Sequence, residues 1–347
     1  MSDSRPRTTP SIPIALTMGE PGGVSQEISI KAWEYFNTNP SQLVFFLIDD
    51  PARYQDLAVP ISIIDSPDKA VKNFPDRLPI LPLGKTVNAT AGKALPETAL
   101  CVIKSIELGV ELCLEKKASA LVTNPIHKKA LIDNGFSFSG HTDYLQSLTR
   151  NVPNMGNRQH HYAVMMLAGP QLRTIPVTVH QSLSDAIKTL DTDLIAKICR
   201  ITAESLRYDF GIEKPRIAVA GLNPHAGEGG LFGLEDSEII AKSVRLLRNE
   251  GLTINGPLPA DTMFHEEARR NYDVAICMYH DQALIPVKML DFHNTVNVTL
   301  GLPIVRTSPD HGSALDIAGK NIANPASLIA AIKMADQLAT NRTQRFY

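Results

Sequence analysis

The sequence is poor in cysteine and in aromatic residues. Its 347 residues include one tryptophan, and only 6% of the side chains are aromatic. The cysteines are far apart, each in an apolar stretch, and none belongs to a CxxC pair: Cys101, Cys113, Cys199 and Cys277. This spacing excludes a small scaffold held together by disulfides. We expect reduced thiols in a reducing compartment.

The sequence also lacks an excess of charge and any long apolar run. Lysine and arginine total 34 against 36 for aspartate and glutamate, so the formal net charge is −2 and no basic field attracts nucleic acid. No run approaches the roughly 18 apolar residues of a membrane helix, and the run IPIALTM is too brief for a signal peptide. Nucleic acid and membrane are excluded as partners, and a cytoplasmic protein is expected.

What the sequence does contain is an alternation of short apolar runs and longer helical patterns. Buried strands are predicted at residues 12–18, 43–48, 120–123, 163–167, 217–220 and 274–278, and amphipathic helices at residues 97–115, 192–207 and 237–249. The alternation predicts an α/β protein whose sheets are covered on both faces.

At about 150 residues per domain, the length predicts two lobes. We assign residues 11–127 and 309–347 to the first lobe and residues 128–308 to the second, because the candidate functional loops gather there. A cleft between two such lobes would be the default ligand site.

Three histidines each follow a strand-like apolar run. His180, His225 and His280 are 45 and 55 residues apart. Since ligands gather at the carboxyl ends of strands in α/β sheets, these imidazoles could converge on one ion. Neutral imidazole suits zinc, cobalt, nickel or iron(II). The alternative is three loop histidines with separate hydrogen-bond partners.

Several polar residues are candidates for binding an anion. His141 and Thr142 follow a turn at Gly140 and suit phosphate oxygens, although the same segment also fits an ordinary helix N-terminus. Further candidates are the polar residues that interrupt apolar sequence, where a buried charge needs a partner: Lys288, Asn297 and Arg306. Structural carboxylates are the alternative partners for the two cations.

The segment DHGSALDIAGKNIANP resembles the nucleotide-binding loop of the isocitrate and isopropylmalate dehydrogenases. The resemblance implies the fold of those enzymes, two α/β/α lobes with a cleft between them. It also implies an adenosine pocket formed by His311, Gly312, Ser313, Ala314 and Asn324, with Asp316 accepting from the ribose hydroxyls. A carboxylate there repels a 2′-phosphate by up to ~4 kcal/mol at 4 Å before solvent screening. NAD is therefore expected in preference to NADP.

Seven motifs in order resemble the 4-hydroxythreonine-4-phosphate dehydrogenase family of pyridoxine biosynthesis. They are TMGEPGG, LVTNPIHK, GHTDYL, GLNPHAGEGG, NGPLPADTMF, MYHDQALIPVK and VNVTLGLPIVRTSPDHGSALDIAG, and the similarity runs from residue 14 to residue 335. The resemblance implies one divalent ion held by His180, His225 and His280 at a site shared between the two subunits of a homodimer. Zinc, cobalt, magnesium and manganese are the candidate ions. In our lobe assignment, the second lobe carries these ligands and the dimer interface.

The same resemblance implies substrate contacts from a second group of residues: His141, Thr142, Lys288, Asn297 and Arg306. The implied reaction is the oxidation of 4-phosphooxy-L-threonine by NAD, followed by loss of carbon dioxide to give 3-amino-2-oxopropyl phosphate. Asp261, Asp281 and Lys288 are the candidate catalytic residues, and the two aspartates would accept a proton or orient the histidines.

Three other functions remain open at this point. A sibling dehydrogenase of erythronate or threonate 4-phosphate would use the same residues on another phosphorylated four-carbon hydroxy acid. A tri-histidine metallohydrolase would need no dinucleotide, and a non-catalytic metabolite-binding protein would leave the histidines unexplained. Two stretches depart from the family pattern: GEPGGVS, and residues 151–161 with Pro153, His160 and His161, interpreted as a solvated loop or a lid.

Overall fold

The computed structural model describes residues 12–39, 43–152 and 162–346. The chain divides into two compact units. Unit 1 contains the described residues up to Asn151 together with Pro303–Ala339, and unit 2 contains the described residues of 152–302 and 340–346.

The compact units differ from the predicted lobes, because residues 128–151 and 303–308 lie in unit 1 and residues 340–346 lie in unit 2. Local packing gives the reason for the first segment: the Tyr144 hydroxyl donates to Glu107 Oε1 at 2.7 Å. For the second, Arg306 and Thr307 pair in register with Leu121 and Val122 of the unit 1 sheet.

The elements are numbered in chain order. The strands are β1 Ile14–Thr17, β2 Phe45–Asp49, β3 Ile61–Ile63, β4 Leu78–Pro82, β5 Leu121–Val122, β6 Val164–Ala168, β7 Arg173–Pro176, β8 Arg216–Ala220, β9 Thr253–Leu258, β10 Val274–Cys277, β11 Val296–Leu300 and β12 Arg306–Pro309. The helices are α1 Ser25–Thr38, α2 Lys69–Asn73, α3 Ala99–Leu114, α4 Lys128–Ile132, α5 His141–Thr149, α6 Leu183–Thr189, α7 Thr192–Tyr208, α8 Ala241–Asn249, α9 Glu266–Arg269, α10 His280–Leu290 and α11 Ala326–Phe346. Shorter 3₁₀ segments cover Pro51–Tyr54, Pro96–Thr98 and Pro224–Gly230, and a π-helical turn covers Asp236–Ile240.

The sheet of unit 1 is parallel throughout, in the order β3-β4-β2-β1-β5-β12. Every residue of β1, β2 and β5 is buried, so both faces of these strands are covered. Helix α3 packs closely on one face because Gly109 has no side chain: a Cβ there would lie 2.5 Å from Leu121 Cδ1. The parallel order brings the carboxyl ends of the strands to one edge.

The sheet of unit 2 is mixed, in the order β11-β6-β7-β10-β8-β9. Strand β6 is antiparallel to both β11 and β7, while β7, β10, β8 and β9 run parallel. Helix α10 packs on β7 and β10, and α7 packs on β6 and β11. The predicted α/β class is confirmed, and the predicted helices correspond to α3, α7 and the π-helical turn with α8.

None of the helices in the described part of the chain is both long and apolar enough to cross a lipid bilayer. The four cysteines, all of them among the described residues, form no disulfide.

Candidate active site

Two of the three predicted metal ligands lie close together in unit 2. His180 follows β7 and His280 begins α10, directly after β10. Beyond the paired strands, the Thr178 amide and hydroxyl both donate to the Met278 carbonyl, at 3.3 and 2.8 Å. The two segments therefore leave the sheet side by side, and the His180 and His280 rings lie 5.6 Å apart between centroids.

The third predicted ligand, His225, lies on a left-handed turn after β8. His225, Ala226 and Glu228 have φ of 54°, 54° and 42°, a region that costs a residue with a side chain of order 1–3 kcal/mol. Buried Asp236 holds the start of this loop by accepting from the Leu222 and Asn223 amides at 2.8 and 3.1 Å. The rest of the unit thus fixes the backbone from which His225 extends.

A single buried side chain links the loop after β8 to the start of α10. Gln282 accepts from the Met278 amide at 2.7 Å and donates to the Gly221 carbonyl at 2.8 Å. It thereby ties the segment before His280 to the segment that leads to His225.

The donor chemistry of the histidines fits a divalent cation. Nδ1 of His280 faces the Asp281 carboxylate at 2.7 Å, and Nδ1 of His225 faces Glu228 at 2.9 Å. A carboxylate only accepts, so each Nδ1 carries the proton and each Nε2 keeps its lone pair for a ligand. Within residues 12–39, 43–152 and 162–346, no three His, Cys, Asp or Glu side chains converge as a metal site. The three-histidine site therefore stays a prediction.

The predicted catalytic residues of unit 2 occupy different surroundings. Asp281 is exposed and pairs with His280, which fits the orienting role. Asp261 is an exposed residue in the turn after β9. Lys288 lies on α10, with its Nζ 5.5 Å from the centroid of the Phe292 ring.

The predicted substrate residue Asn297 lies on β11 in the same unit. Its side-chain oxygen is buried and has no hydrogen-bond partner among the described residues. Burying such an atom costs desolvation free energy, and this cost is not offset unless a ligand donates a hydrogen bond to it.

A cationic cluster forms beside Thr123, directly after the end of β5 in the unit 1 sheet. Arg306, at the start of β12, is only 3% exposed, and its Nε and Nη2 donate to the Thr123 hydroxyl at 3.2 and 2.6 Å. The neighbouring helix α5 begins at His141, with Gly140 at its N-cap and no capping side chain. A Cβ on Gly140 would lie 3.6 Å from Lys128 Nζ. Three cationic or basic side chains thus gather at one helix N-terminus.

Burial lowers the pKa of two members of this cluster, and neighbouring positive charges lower one of the two further. Desolvation lowers the pKa of Arg306 to about 9. The pKa of His141 lies well below its usual 6.5, first through desolvation and then through the charges of Arg306 and Lys128. The His141 Nε2 is buried and has no partner among the described residues. An anion would offset each of these costs.

The predicted cofactor loop is part of unit 1. The Ser313 carbonyl accepts from the Val24 amide at 3.0 Å, and His311 Nδ1 lies 2.9 Å from the Gly312 carbonyl. Asp316 is exposed. The Asn324 side chain accepts from the Ala326 amide at 2.9 Å, a contact that stabilises the start of α11.

The glycines of GEPGGVS are explained by packing against neighbouring backbone. A Cβ on Gly22 would lie 1.9 Å from the Lys93 carbonyl oxygen, and one on Gly23 would lie 2.5 Å from that of Ser313. Gly22, one of the departures from the family pattern in this loop, therefore has a structural reason. Pro153, His160 and His161, in the second departure, are outside the described residues.

A cleft of about 790 Å³ opens in unit 1. Its walls include Gln26 and Lys31 of α1, Arg53, and Gly319 and Asn321 of the predicted nucleotide loop. Residues 311–316 and Asn324 are not among the described residues that line it, so the predicted adenosine contacts lie outside this cleft.

Sequence reasoning missed Thr123 and Lys128. Both belong to the motif LVTNPIHK, for which the family resemblance implied no role of an individual residue. The available signal was a lysine directly after a histidine, six residues past the end of β5.

Comparison with known proteins gives one consistent result. The family model "Pyridoxal phosphate biosynthetic protein PdxA" matches residues 44–335. A 4-hydroxythreonine-4-phosphate dehydrogenase of Ruegeria sp. is 48% identical over 330 residues, which are 95% of this chain and 97% of that protein.

Solved structures agree with the sequence relatives. The 4-hydroxythreonine-4-phosphate dehydrogenase of Klebsiella pneumoniae is similar with a TM-score of 0.81 at 33% identity, over 95% of this chain and 100% of that one. A terephthalate 1,2-cis-dihydrodiol dehydrogenase of Burkholderia xenovorans is similar with a TM-score of 0.63 at 25% identity, over 94% and 98% of the two chains.

Proposed function

Because the chain belongs to the PdxA family of pyridoxal phosphate biosynthetic proteins, we propose that it is a 4-hydroxythreonine-4-phosphate dehydrogenase. The enzyme oxidises the secondary alcohol of 4-phosphooxy-L-threonine with a nicotinamide cofactor, and the resulting β-keto acid loses carbon dioxide to give 3-amino-2-oxopropyl phosphate. The observation that carries this proposal is the buried Arg306 beside His141, a site that favours a phosphorylated substrate in a chain of this family.

The substrate phosphate binds to the unit 1 cluster. Arg306 offers a planar, charged fork of N–H donors, which suits phosphate oxygens. His141 stays neutral at physiological pH because its pKa is well below 6.5, so it adds a hydrogen bond without adding charge. Thr142, in the first turn of α5, supplies a hydroxyl. Helix N-termini favour anions for the same electrostatic reason.

Unit 2 supplies the residues that act on the rest of the substrate. Lys288 neutralises its carboxylate and serves as a catalytic acid, and the buried oxygen of Asn297 accepts from a substrate hydroxyl or ammonium group. Asp261 is the candidate proton acceptor for the alcohol. Asp281 orients His280 through Nδ1.

His180, His225 and His280 hold one divalent ion, for which zinc, cobalt, magnesium and manganese are the candidates. When bound, such an ion supplies a Lewis acid that favours both removal of the alcohol proton and departure of the carboxylate. The residues of this chain supply the neutral imidazole lone pairs and the carboxylates that orient them.

NAD is the proposed cofactor, and it supplies the hydride acceptor. His311, Gly312, Ser313, Ala314 and Asn324 form the adenosine pocket, and Asp316 accepts from the ribose hydroxyls. Because Asp316 is exposed, solvent screens its repulsion of a 2′-phosphate. The preference over NADP is therefore modest.

The active site is completed in a homodimer formed through unit 2. Several large apolar side chains on this unit face solvent: Leu231, Phe232, Leu234, Ile285, Met289 and Phe292. They flank His225 on its loop and His280 on α10, and Met289 and Leu231 are 78% and 74% exposed. Exposed apolar clusters of this kind mark protein interfaces. Met289→Glu should shift the protein from dimer to monomer in sedimentation, and the loss of the dimer should reduce activity.

One assay tests the proposed reaction. Purified protein is mixed with NAD, a divalent cation and either 4-phosphooxy-L-threonine, erythronate 4-phosphate or threonate 4-phosphate, and the absorbance of the reduced cofactor is followed. Reduction should be fastest with 4-phosphooxy-L-threonine, with release of carbon dioxide. A faster reaction with a sugar-acid phosphate would assign the chain to the sibling activity, and no reduction with any of them would overturn the proposal.

A further inference from the structure

Lys128 has no role in the function argued so far, yet its ammonium group lies at the edge of the phosphate-binding cluster. Its Nζ and Cε are 3.6 and 3.5 Å from where a Cβ of Gly140 would lie. Gly140 is the N-cap of α5, so the ammonium lies beside the first turn of that helix. Its charge also contributes to the lowered pKa of His141, which places it within electrostatic reach of the imidazole.

The backbone that carries Lys128 is fixed by buried contacts. Asn124, two residues after the end of β5, donates to the Thr17 carbonyl and the Ser29 hydroxyl, both at 2.9 Å. His127 then accepts from the Ala130 amide at 3.3 Å and caps α4. The position of the Lys128 Cα is therefore set by the sheet edge, while its side chain reaches toward α5.

The ion pairs of the residues around Lys128 favour a bound anion as the partner of its ammonium group. The side chain forms no ion pair or hydrogen bond with any residue that the structure describes. Its neighbour Lys129 pairs with Asp133 at 2.9 Å. Asp143, the acidic residue in the first turn of α5, accepts from the Ser139 hydroxyl.

The cluster as a whole matches a phosphate better than a carboxylate. The first three amides of α5 lack intrahelical partners because they belong to the first turn, and no side chain caps them. The His141 Nε2 is buried without a partner among the described residues. A phosphate dianion has three terminal oxygens to share among amides, an imidazole, a guanidinium and an ammonium group.

We propose that Lys128 is a further substrate-binding residue: its ammonium group pairs with the phosphate that Arg306 and His141 bind, and thereby sets the preference for phosphorylated over unphosphorylated substrate. This inference rests on the proposed function, because it assigns the phosphate end of the same substrate. Lysine acts here as a mobile point charge, and the buried Arg306 fixes the orientation of the group.

The test compares Lys128→Met with Lys129→Met, a matched change at the neighbouring exposed lysine. KM and kcat are measured with 4-phosphooxy-L-threonine and with unphosphorylated 4-hydroxythreonine. Lys128→Met should raise KM for the phosphorylated substrate about tenfold, the effect of losing one charged hydrogen bond, and change kcat by less than about twofold. Lys128→Arg should restore most of the loss, and Lys129→Met should behave as the wild type.

A second measurement uses inorganic phosphate as the probe and does not depend on turnover. Phosphate should raise the thermal unfolding midpoint of the wild type and of Lys129→Met, and this shift should be smaller in Lys128→Met. An inactive wild type that still shows this pattern would overturn the proposed function and leave the role of Lys128 intact. An active wild type with the same KM and phosphate shift as Lys128→Met would overturn the inference alone. A wild type with neither activity nor a phosphate shift would overturn both.

Discussion

The cationic cluster of unit 1 and the histidines of unit 2 are built in opposite ways. Arg306 is a buried residue on a strand, and its guanidinium is held by Thr123. His180 and His225 are exposed residues on loops. Of the three histidine rings, those of His180 and His280 lie close to each other. The first site is organised within one unit of one chain. In the second site, carboxylates orient the rings of His225 and His280, but the three imidazoles do not converge on one point.

This difference follows from what each ligand must do. Burying a guanidinium costs desolvation free energy, and in our proposal the substrate phosphate offsets that cost on binding, so the charge is in place before the substrate binds. Exposed imidazoles keep their solvation by water, and in our proposal an ion and a second subunit bring them together. Loss of a residue should therefore affect the two sites differently.

Replacing a histidine of unit 2 should have the largest effect on turnover. We expect His225→Ala to lower metal-dependent kcat by more than about 10²-fold, because loss of a direct ligand should exceed the cost of losing an outer partner. The fold should be unchanged, since His225 is exposed. Kinetics and metal content measure the effect, with His265→Ala as the control at an exposed histidine elsewhere. Full activity in metal-stripped His225→Ala would contradict the ligand assignment.

Replacing Arg306 should separate activity from stability. In Arg306→Met we expect kcat/KM to fall about 10²-fold through loss of charged hydrogen bonds. The thermal unfolding midpoint should stay the same or rise, because the variant has no desolvation cost of a buried charge at this position. Arg216→Met, at an exposed arginine paired with Asp273, is the control. Retained activity with a clearly lower midpoint would indicate a purely structural arginine.

The unit 1 cluster should also give a characteristic pH dependence of stability. Because the folded-state pKa of His141 lies well below 6.5, the unfolded chain binds more protons as the pH falls below about 6.5. The free energy of unfolding should therefore decrease with falling pH in this range. His141→Gln should make this decrease shallower in denaturant titrations between about pH 5 and 7. An unchanged slope, equal to that of His265→Gln, would argue against a buried neutral imidazole.

The smallest effect is expected at the exposed Asp316. Asp316→Asn should raise kcat/KM for NADP only a few-fold, because a charge pair near water is worth about 1 kcal/mol at 4 Å. Initial rates with NAD and NADP measure the change, and Asp68→Asn, at another exposed aspartate, is the control. A change of more than about 10²-fold would mean that the loop closes over Asp316 and excludes water.

Parts of this fold were predictable from local sequence. The helices α3 and α7 follow from apolar residues at helical spacing, and β1, β2 and β10 from short apolar runs. Strand β12, with the sequence RTSP, was not predicted, because its polar residues give no strand pattern. Its four residues are buried, and its pairing with β5 decides its structure. The predicted boundary after residue 127 differs from the division between the compact units, because no change of composition marks that division.

The candidate site was predictable as a set of residue types and not as an arrangement. Family motifs identified His141 and Arg306, but no pattern indicated that they lie with Lys128 around one helix N-terminus. Likewise, the three histidines were identified together, and the structure brings only His180 and His280 into contact.

The sequence by itself determined the α/β class, the family and the chemistry of the available side chains, since these depend on composition, periodicity and motif order. Only the tertiary structure decided which of those side chains meet and which charges are buried. The physical reason is that a sheet gathers the ends of strands that are distant in the chain. Desolvation then depends on the neighbours that pack there, and no local segment specifies them.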